Sequence, residues 1–258
     1  MVEFEDDVDL MIFLKTPAEI DAMDRANHLV HKALNAVREA AQAGTTTRDL
    51  DRLAEDLILN EGGKPAFKGY RGFPATLCVS INDVIVHGIP SPSVRLREGD
   101  LVSVDCGVVL DGFYGDAAIS FGISTMSADA QRLMDITQQC LEDAVAHVGP
   151  GNRLGDVGAA VQQRAESARF GVVRDFVGHG IGRNLHEDPQ VPNYGMSGRG
   201  PVMKPGLVIA IEPMITAGSW RVKIDDDGWT ARTEDGRIAA HFEFSVAVTE
   251  NGARVLGI

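Results

Sequence analysis

Four carboxylates sit inside apolar, strand-like stretches of this sequence. Asp105 closes Leu-Val-Ser-Val-Asp, Asp116 opens the stretch after Phe-Tyr-Gly, Glu212 follows Leu-Val-Ile-Ala-Ile, and Glu243 lies between Phe242 and Phe244. Burying an unpaired carboxylate costs several kcal/mol. Few lysines or arginines lie in these stretches, so a shared cation answers the problem best. His179 has glycines on both sides in Phe176-Val177-Gly178-His179-Gly180-Ile181-Gly182, which let the backbone approach closely and expose the imidazole. His186 follows in Asn184-Leu185-His186-Glu187, and His87 stands between a strand and a turn in Val84-Ile85-Val86-His87-Gly88. Imidazole with several carboxylates suits Mn, Fe, Co or Zn in a hydrolytic pair and not a thiolate site. Two such ions would share a hydroxide and clamp a carbonyl as it becomes tetrahedral. Taken singly, each residue has a plainer reading: a lone Asp ends a hairpin, a lone strand Glu faces water, an isolated His is structural. The combination carries the argument, and His28, His31, His147 and His241, which have no motif around them, are set aside.

The elements that must position these residues follow from the pattern. Thr16-Pro17-Ala18-Glu19 is a helix start, with Thr16 as cap, Pro17 at the first helical position and Glu19 completing a capping box. Ile20, Met23, Leu29, Val30, Ala33, Leu34 and Val37 keep helical spacing, and Gly44 ends the helix. A second helix is expected from Thr47 to Glu61-Gly62-Gly63, and others over 128–148 and 154–168. Strands are expected at 77–81, 101–104, 117–121, 208–211, 229–233 and 242–249. A tight Asp111-Gly112 turn would fold Asp105 and Asp116 together in a hairpin. Helices then strands, twice over, indicate an α+β fold of two similar halves. The expected organisation is a short acidic lead-in over 1–15 and one domain over 16–258.

Composition narrows the class. The chain has 258 residues, 44% hydrophobic and 24% charged, an ordinary globular balance, and a formal net charge of -13. That charge argues against a nucleic-acid partner. Three cysteines, none in a C-x-x-C pair, encode no structural zinc module and suit a reducing compartment. The acidic N-terminus is not a secretory signal, and no run reaches the ~18 apolar residues of a membrane span. The expected location is the cytoplasm, with no membrane contact.

The stretch from Phe176 to Gly182 with His186, Val191, Asn193 and Tyr194 resembles the signature of type I methionine aminopeptidases. Tyr70-Arg71-Gly72-Phe73-Pro74, Ser80-Ile81-Asn82, His87-Gly88-Ile89-Pro90, Ile211-Glu212-Pro213-Met214, Asp227-Gly228-Trp229-Thr230 and the Phe242-Glu243 strand resemble that family too, in the same order along the chain. The resemblance implies the pita-bread fold, an antiparallel sheet with helices on its outer face and pseudo-twofold halves. It implies removal of the initiator methionine from peptides and nascent chains. It also implies two divalent ions (Co, Mn, Fe or Zn) on Asp105, Asp116, His179, Glu212 and Glu243, with Asp116 and Glu243 bridging. Glu212 would take the proton from the bridging water. His87 would contact the scissile nitrogen or leaving group, and His186 would stabilise the oxyanion. The substrate amine would bind one ion. Phe67, Tyr70, Phe73, Cys78, Leu185 and Trp229 match the family's methionine pocket, where a thioether packs well on aromatic faces. A second residue that is small should be preferred. The family also has a monovalent-cation site to which the carbonyls of Asn82 and Val84 could contribute. A monomer is expected, with transient ribosome contact through the folded surface.

The chain departs from that pattern at Phe244 (His in the family), Tyr114 (His), Ala117 (Thr or Ser) and Phe67 (a smaller residue), none of them an implied ligand. Groups beyond the ligands can still change metal affinity or activity by about 10- to 100-fold. Two other readings stand beside this one. A prolidase or Xaa-Pro aminopeptidase shares the fold but carries a large N-terminal domain. A non-catalytic pita-bread module that binds other macromolecules would have lost ligands. A type II enzyme needs an inserted helical subdomain between His186 and Glu212, for which there is no room.

Overall fold

The computed structural model describes residues 11–258; residues 1–10 of the expected lead-in lie outside the described residues. Helix α1 (Pro17–Ala40) begins as its sequence predicts. The Thr16 hydroxyl accepts from the Glu19 amide, and Glu19 reaches back to the Thr16 amide, forming a capping box. Its apolar stripe, from Ile20 to Val37, is buried. Helix α2 (Thr47–Asn60) is capped in the same way by Thr46 and Asp49. Helices α3 (Ala128–Ala146) and α4 (Leu154–Ser167) pack on each other in the second half. No described helix is long and apolar enough to cross a membrane.

A nine-stranded antiparallel sheet joins the halves. Its order is Lys64–Pro65, Leu101–Leu110, Phe113–Gly122, Glu243–Thr249, Val208–Ile211, Gly178–Gly180, Glu187–Val191; Leu77–Ile81 pairs with Leu101–Leu110, and Gly252–Val255 with Glu243–Thr249. The seam between the halves is the pairing of Phe113–Gly122 with Glu243–Thr249, Glu243 opposite Ala118. α1 and α2 cover the first half through Val30, Leu34, Leu50, Ile58, Val102 and Val104. α3 and α4 cover the second through Leu133, Leu141, Val157, Val161, Ile209 and Val246.

Two expectations change in the structure. The strands expected at 101–104 and 117–121 run on to Leu101–Leu110 and Phe113–Gly122, because the hairpin ladder continues to its tip at Leu110 and Phe113. The strand expected from Trp229 begins at Ala231. The Asp227 carboxylate accepts from the amides of Trp229 and Thr230 (2.8 Å each) and holds them in a turn.

Two smaller three-stranded sheets complete the body. In one, Met214–Thr216 pairs with Ala239–His241 and Gly171–Val172; in the other, Ala231–Thr233 pairs with Val222–Ile224 and Val84–Val86. The chain passes between sheets twice at one place. Val208–Ile211 pairs with Glu243–Thr249 in the large sheet, and their continuations Met214–Thr216 and Ala239–His241 pair in the small one. The break falls at Glu212-Pro213 and Phe242, where Pro213 has no amide to give the ladder.

Candidate active site

Sheet register gathers the donors. Asp105 lies opposite Ala118, and Glu243 lies opposite Ala118 from the other side. Asp116 is two residues before Ala118 and therefore shares its face. Cys78 lies opposite Asp105. Beyond the seam, Ser245 pairs with Ala210 and His179 with Ala210. The Ser245 hydroxyl donates to the Asp116 carbonyl (2.9 Å), locking the two halves at this level. The acids and His179 thus occupy two neighbouring rows of one face, separated by Ala118, Ala210 and Ser245. The small residues leave room above them.

Three of the five donors are also held from behind. The Asn27 side chain of α1 accepts from the Asp116 amide (3.2 Å). Asn193 donates to the Glu212 carbonyl (2.9 Å). His179 Nδ1 bonds to the Gly180 carbonyl (2.9 Å), which assigns the proton to Nδ1 and leaves the Nε2 lone pair free. That lone pair faces Asp116 Oδ2 at 3.9 Å and Glu212 Oε1 at 3.8 Å.

The electrostatics show what is needed here. Burial pushes Asp105 up to about 7. Burial and the charges of Glu243 and Asp105 push Asp116 well above its usual range. Burial and the neighbouring acids do the same to Glu212 and Glu243. Burial holds His179 down at about 3, so it is neutral and cannot neutralise them. No lysine or arginine forms a described ion pair with any of these acids. Asp105 Oδ1, Asp116 Oδ1 and Glu243 Oε1 are buried without a hydrogen-bond partner. Ligand atoms of Asp116, His179 and Glu243 lie within 4.8 Å of one another. Orphaned carboxylate oxygens and an imidazole lone pair converging on one point fit divalent cations. Cys78 beside them keeps its proton, because burial and Asp105 push its thiol well up.

Every candidate metal, catalytic and methionine-pocket residue from the sequence lines a single cavity of about 160 Å³: Asp105, Asp116, His179, Glu212, Glu243, His87, His186, Phe67, Tyr70, Phe73, Cys78, Leu185 and Trp229; Asn82 and Val84 line a different one. That is below the roughly 300 Å³ at which pockets for drug-sized ligands begin. The aromatic wall is ordered edge to face, with the rings of Phe73 and Trp229 5.2 Å apart. His87 packs edge-on against Phe176 (5.2 Å) and Trp229 (6.3 Å) and holds a left-handed backbone, φ 60. Burial and His186 hold His87 down at about 4. His186 stacks on Tyr70, whose hydroxyl meets its Nδ1 at 2.8 Å; burial and the Arg71 charge keep it below its usual value.

The departures from the family pattern fall in intelligible places. Phe244 and Ala117 alternate with Glu243 and Asp116, so they face the helices; Phe244 meets His31 of α1 at 6.1 Å between ring centroids. Phe67 does line the cavity, and Gly107 makes room for its ring. Two neighbours of the donors carry no motif of their own in the sequence. Arg71, read only as part of a motif, lines the mouth. His241, fully buried, has its Nε2 4.0 Å from Glu243 Oε2. Two positions before Glu243, it sits where strand alternation would have put a neighbour.

A buried face of carboxylates and imidazole at the centre of a pseudo-twofold antiparallel sheet defines a class, metal-dependent peptidases of the pita-bread fold. The model of metallopeptidase family M24 matches residues 21–250. The methionine aminopeptidase of Clostridium perfringens is 49% identical over 246 residues, 95% of this chain and 98% of that one. The crystal structure of the methionine aminopeptidase from Thermotoga maritima superposes with a TM-score of 0.94 at 46% identity, covering 96% of this chain and 99% of that one. The prolidase from Pyrococcus furiosus, at 24% identity and a TM-score of 0.77 over 95% of this chain and 65% of that one, shares the fold. The chain belongs to metallopeptidase family M24 and, within it, to the methionine aminopeptidases.

Proposed function

We propose that this chain hydrolyses the bond after an N-terminal methionine in peptides and nascent chains, with a small residue preferred in second place. The observation that carries the reading is the meeting, in one cavity, of the orphaned donor cluster with an apolar, largely aromatic wall. The working unit is the one body from residue 16 to 258.

Asp105, Asp116, His179, Glu212 and Glu243 would hold two divalent ions, Asp116 and Glu243 being shared, with Co, Mn, Fe or Zn as the candidates. Bound there, such ions supply Lewis acidity and an activated water at neutral pH. Glu212 has the more open carboxylate, 14% exposed against 5% for Asp116, and is the acid we assign to receive the water's proton. The Tyr70 hydroxyl meets His186 Nδ1 at 2.8 Å; we assign Tyr70 as the donor, which places the imidazole proton on Nε2. A neutral Nε2–H is the donor required where the carbonyl oxygen gains charge. His87, neutral and fixed by Phe176 and Trp229, is assigned to the scissile nitrogen. Phe67, Tyr70, Phe73, Cys78, Leu185 and Trp229 form the methionine wall. A monovalent cation is assigned to the backbone of Asn82 and Val84. The Asn82 carbonyl already accepts from the Ala239 amide (2.8 Å) and offers its second lone pair.

The test is release of methionine from Met-Ala-Ser by chelated protein and by protein reloaded with each metal, with Glu212→Ala as control. Metal-dependent release that disappears in the control is expected. Folded protein inactive with every metal would overturn the reading, and equal cleavage of Met-Ala and Met-Leu peptides would remove the small-residue preference.

A further inference from the structure

The segment entering α1 is built into the turn that carries Leu185 and His186. Lys15 precedes the helix cap, and its amide donates to the Gly206 carbonyl (2.7 Å). Its ammonium crosses to the far half of the molecule and meets Glu187 Oε2 at 2.6 Å, both side chains being 5% exposed. Lys15 Nζ also donates to the Phe13 carbonyl (2.9 Å). The other Glu187 oxygen accepts from the amides of Arg183 (2.9 Å) and Asn184 (3.0 Å). One carboxylate therefore ties the start of α1 to both ends of the turn that holds Leu185 and His186. A second link runs outside it, from the Arg183 guanidinium to Glu19 (3.0 Å), the capping-box residue of α1.

A buried ion pair is weak evidence for stability, since desolvation offsets most of its attraction. What this one supplies is geometry. Within the turn, the His186 ring is held by a single hydrogen bond, from Tyr70. Backbone bonds tie the turn's base to the sheet, through the Gly180–Glu187 pair and the Gly182 carbonyl, which accepts from the Tyr114 amide (2.9 Å); the Lys15–Glu187 pair adds the buried tie to the segment entering α1. We propose that Lys15 and Glu187 are positioning residues: their buried pair sets the turn so that Leu185 closes the methionine pocket and His186 stays over the reacting carbonyl. The catalytic half of this inference rests on the role given to His186 above. Its structural half, the fixing of the turn, stands without it.

The experiment uses the full chain with Lys15→Met, which keeps the stem and removes the charge, Lys15→Arg, which restores a cation, and Glu187→Gln. Lys32→Met, which breaks the exposed Lys32–Glu61 pair of α1, is the control. Amide exchange of Arg183 and Asn184 is measured in chelated protein. Metal content, kcat and KM on Met-Ala-Ser are measured after reloading. Lys15→Met is expected to speed exchange at both amides and to lower kcat/KM on the order of 10- to 100-fold, the scale of a small misplacement. Metal content should hold, Lys15→Arg should recover both readouts, and Lys32→Met should change neither. Unchanged exchange in Lys15→Met, or faster exchange with unchanged kcat/KM, overturns the proposal. Should Lys15→Met fail to fold, Glu187→Gln decides by the same two readouts. A wild-type chain that releases no methionine would defeat the functional reading, while exchange would still judge the fixing of the turn.

Discussion

The two halves of the sheet deliver matching sets of donors by opposite means. The first half does it with regularity. Leu101–Leu110 and Phe113–Gly122 pair residue for residue across a two-residue turn, in which Asp111 (φ 52) and Gly112 (φ 82) adopt the left-handed conformation of a primed turn. Alternation alone then puts Asp105 and Asp116 on one face. The second half does it with interruptions. Gly178–Gly180 and Val208–Ile211 are short, the register slips after His179, and Pro213 breaks the ladder beside Glu212. Gly178 has no room for a side chain, because a Cβ would strike the Ala210 carbonyl. A regular hairpin places its acids by counting; a broken one places them by where it breaks. The second half should therefore be the less forgiving of the two.

The seam between the halves is where the largest effect is expected. Glu243 belongs to a second-half strand but stands opposite Ala118 of the first. Ions held here supply several kcal/mol, so Glu243→Gln should lower methionine release on the order of 10³-fold. In chelated protein near neutral pH the same change should raise Tm, because burial and the neighbouring acids push the Glu243 carboxyl well up and oppose its ionisation in the fold. Calorimetry and the release assay read the two effects on one sample. Undiminished turnover would take Glu243 out of the donor set.

The same contrast governs what could be read from the sequence. The α1 cap, the hairpin turn, and the strands at Leu77–Ile81 and Val208–Ile211 follow from local patterns and lie where those patterns put them. The long strands run through Gly107 and Gly115, residues that weaken a strand pattern in sequence. In the fold, each glycine gives space to a neighbour, Phe67 and the α1 backbone at Asn27 respectively. The three-residue strands at 214–216, 222–224 and 239–241 carry no period of their own and exist only through their partners. The residues that line the cavity were legible because motif and order name them. The Lys15–Glu187 pair was not, since 172 positions separate its members and neither sits in a pattern.

Asp105 gives a finer probe of the first half. In protein stripped of metal, its carboxyl rises from 3.8 to about 7 on burial. A raised folded value means the carboxyl destabilises wherever it must ionise. The cost is absent below 3.8, grows up to about 7, and is complete above it. Asp105→Asn should therefore gain more Tm over the chelated wild type near about pH 8 than near about pH 5. His179 and His87, held down at about 3 and 4, act with the opposite sign and weaken the fold as pH falls below 6.5. Both proteins contain them, so their effect drops out of the difference. An equal gain at both pH values would mean that Asp105 ionises as freely in the folded chain as in the unfolded one.

The smallest effect is expected at the hairpin tip. At Gly112 a Cβ would meet nothing within 4 Å, so Gly112→Ala introduces only the backbone penalty of φ 82. That penalty is about 1 kcal/mol, worth a Tm fall of roughly 2–4 °C in a domain of this size. Methionine release should not change. The register of Asp105 against Asp116 is fixed by the ladder from Leu101 to Leu110, and the turn only closes its end. A loss of activity larger than the loss of stability would reverse that order of causes: the turn, and not the ladder, would be setting where the first-half acids stand.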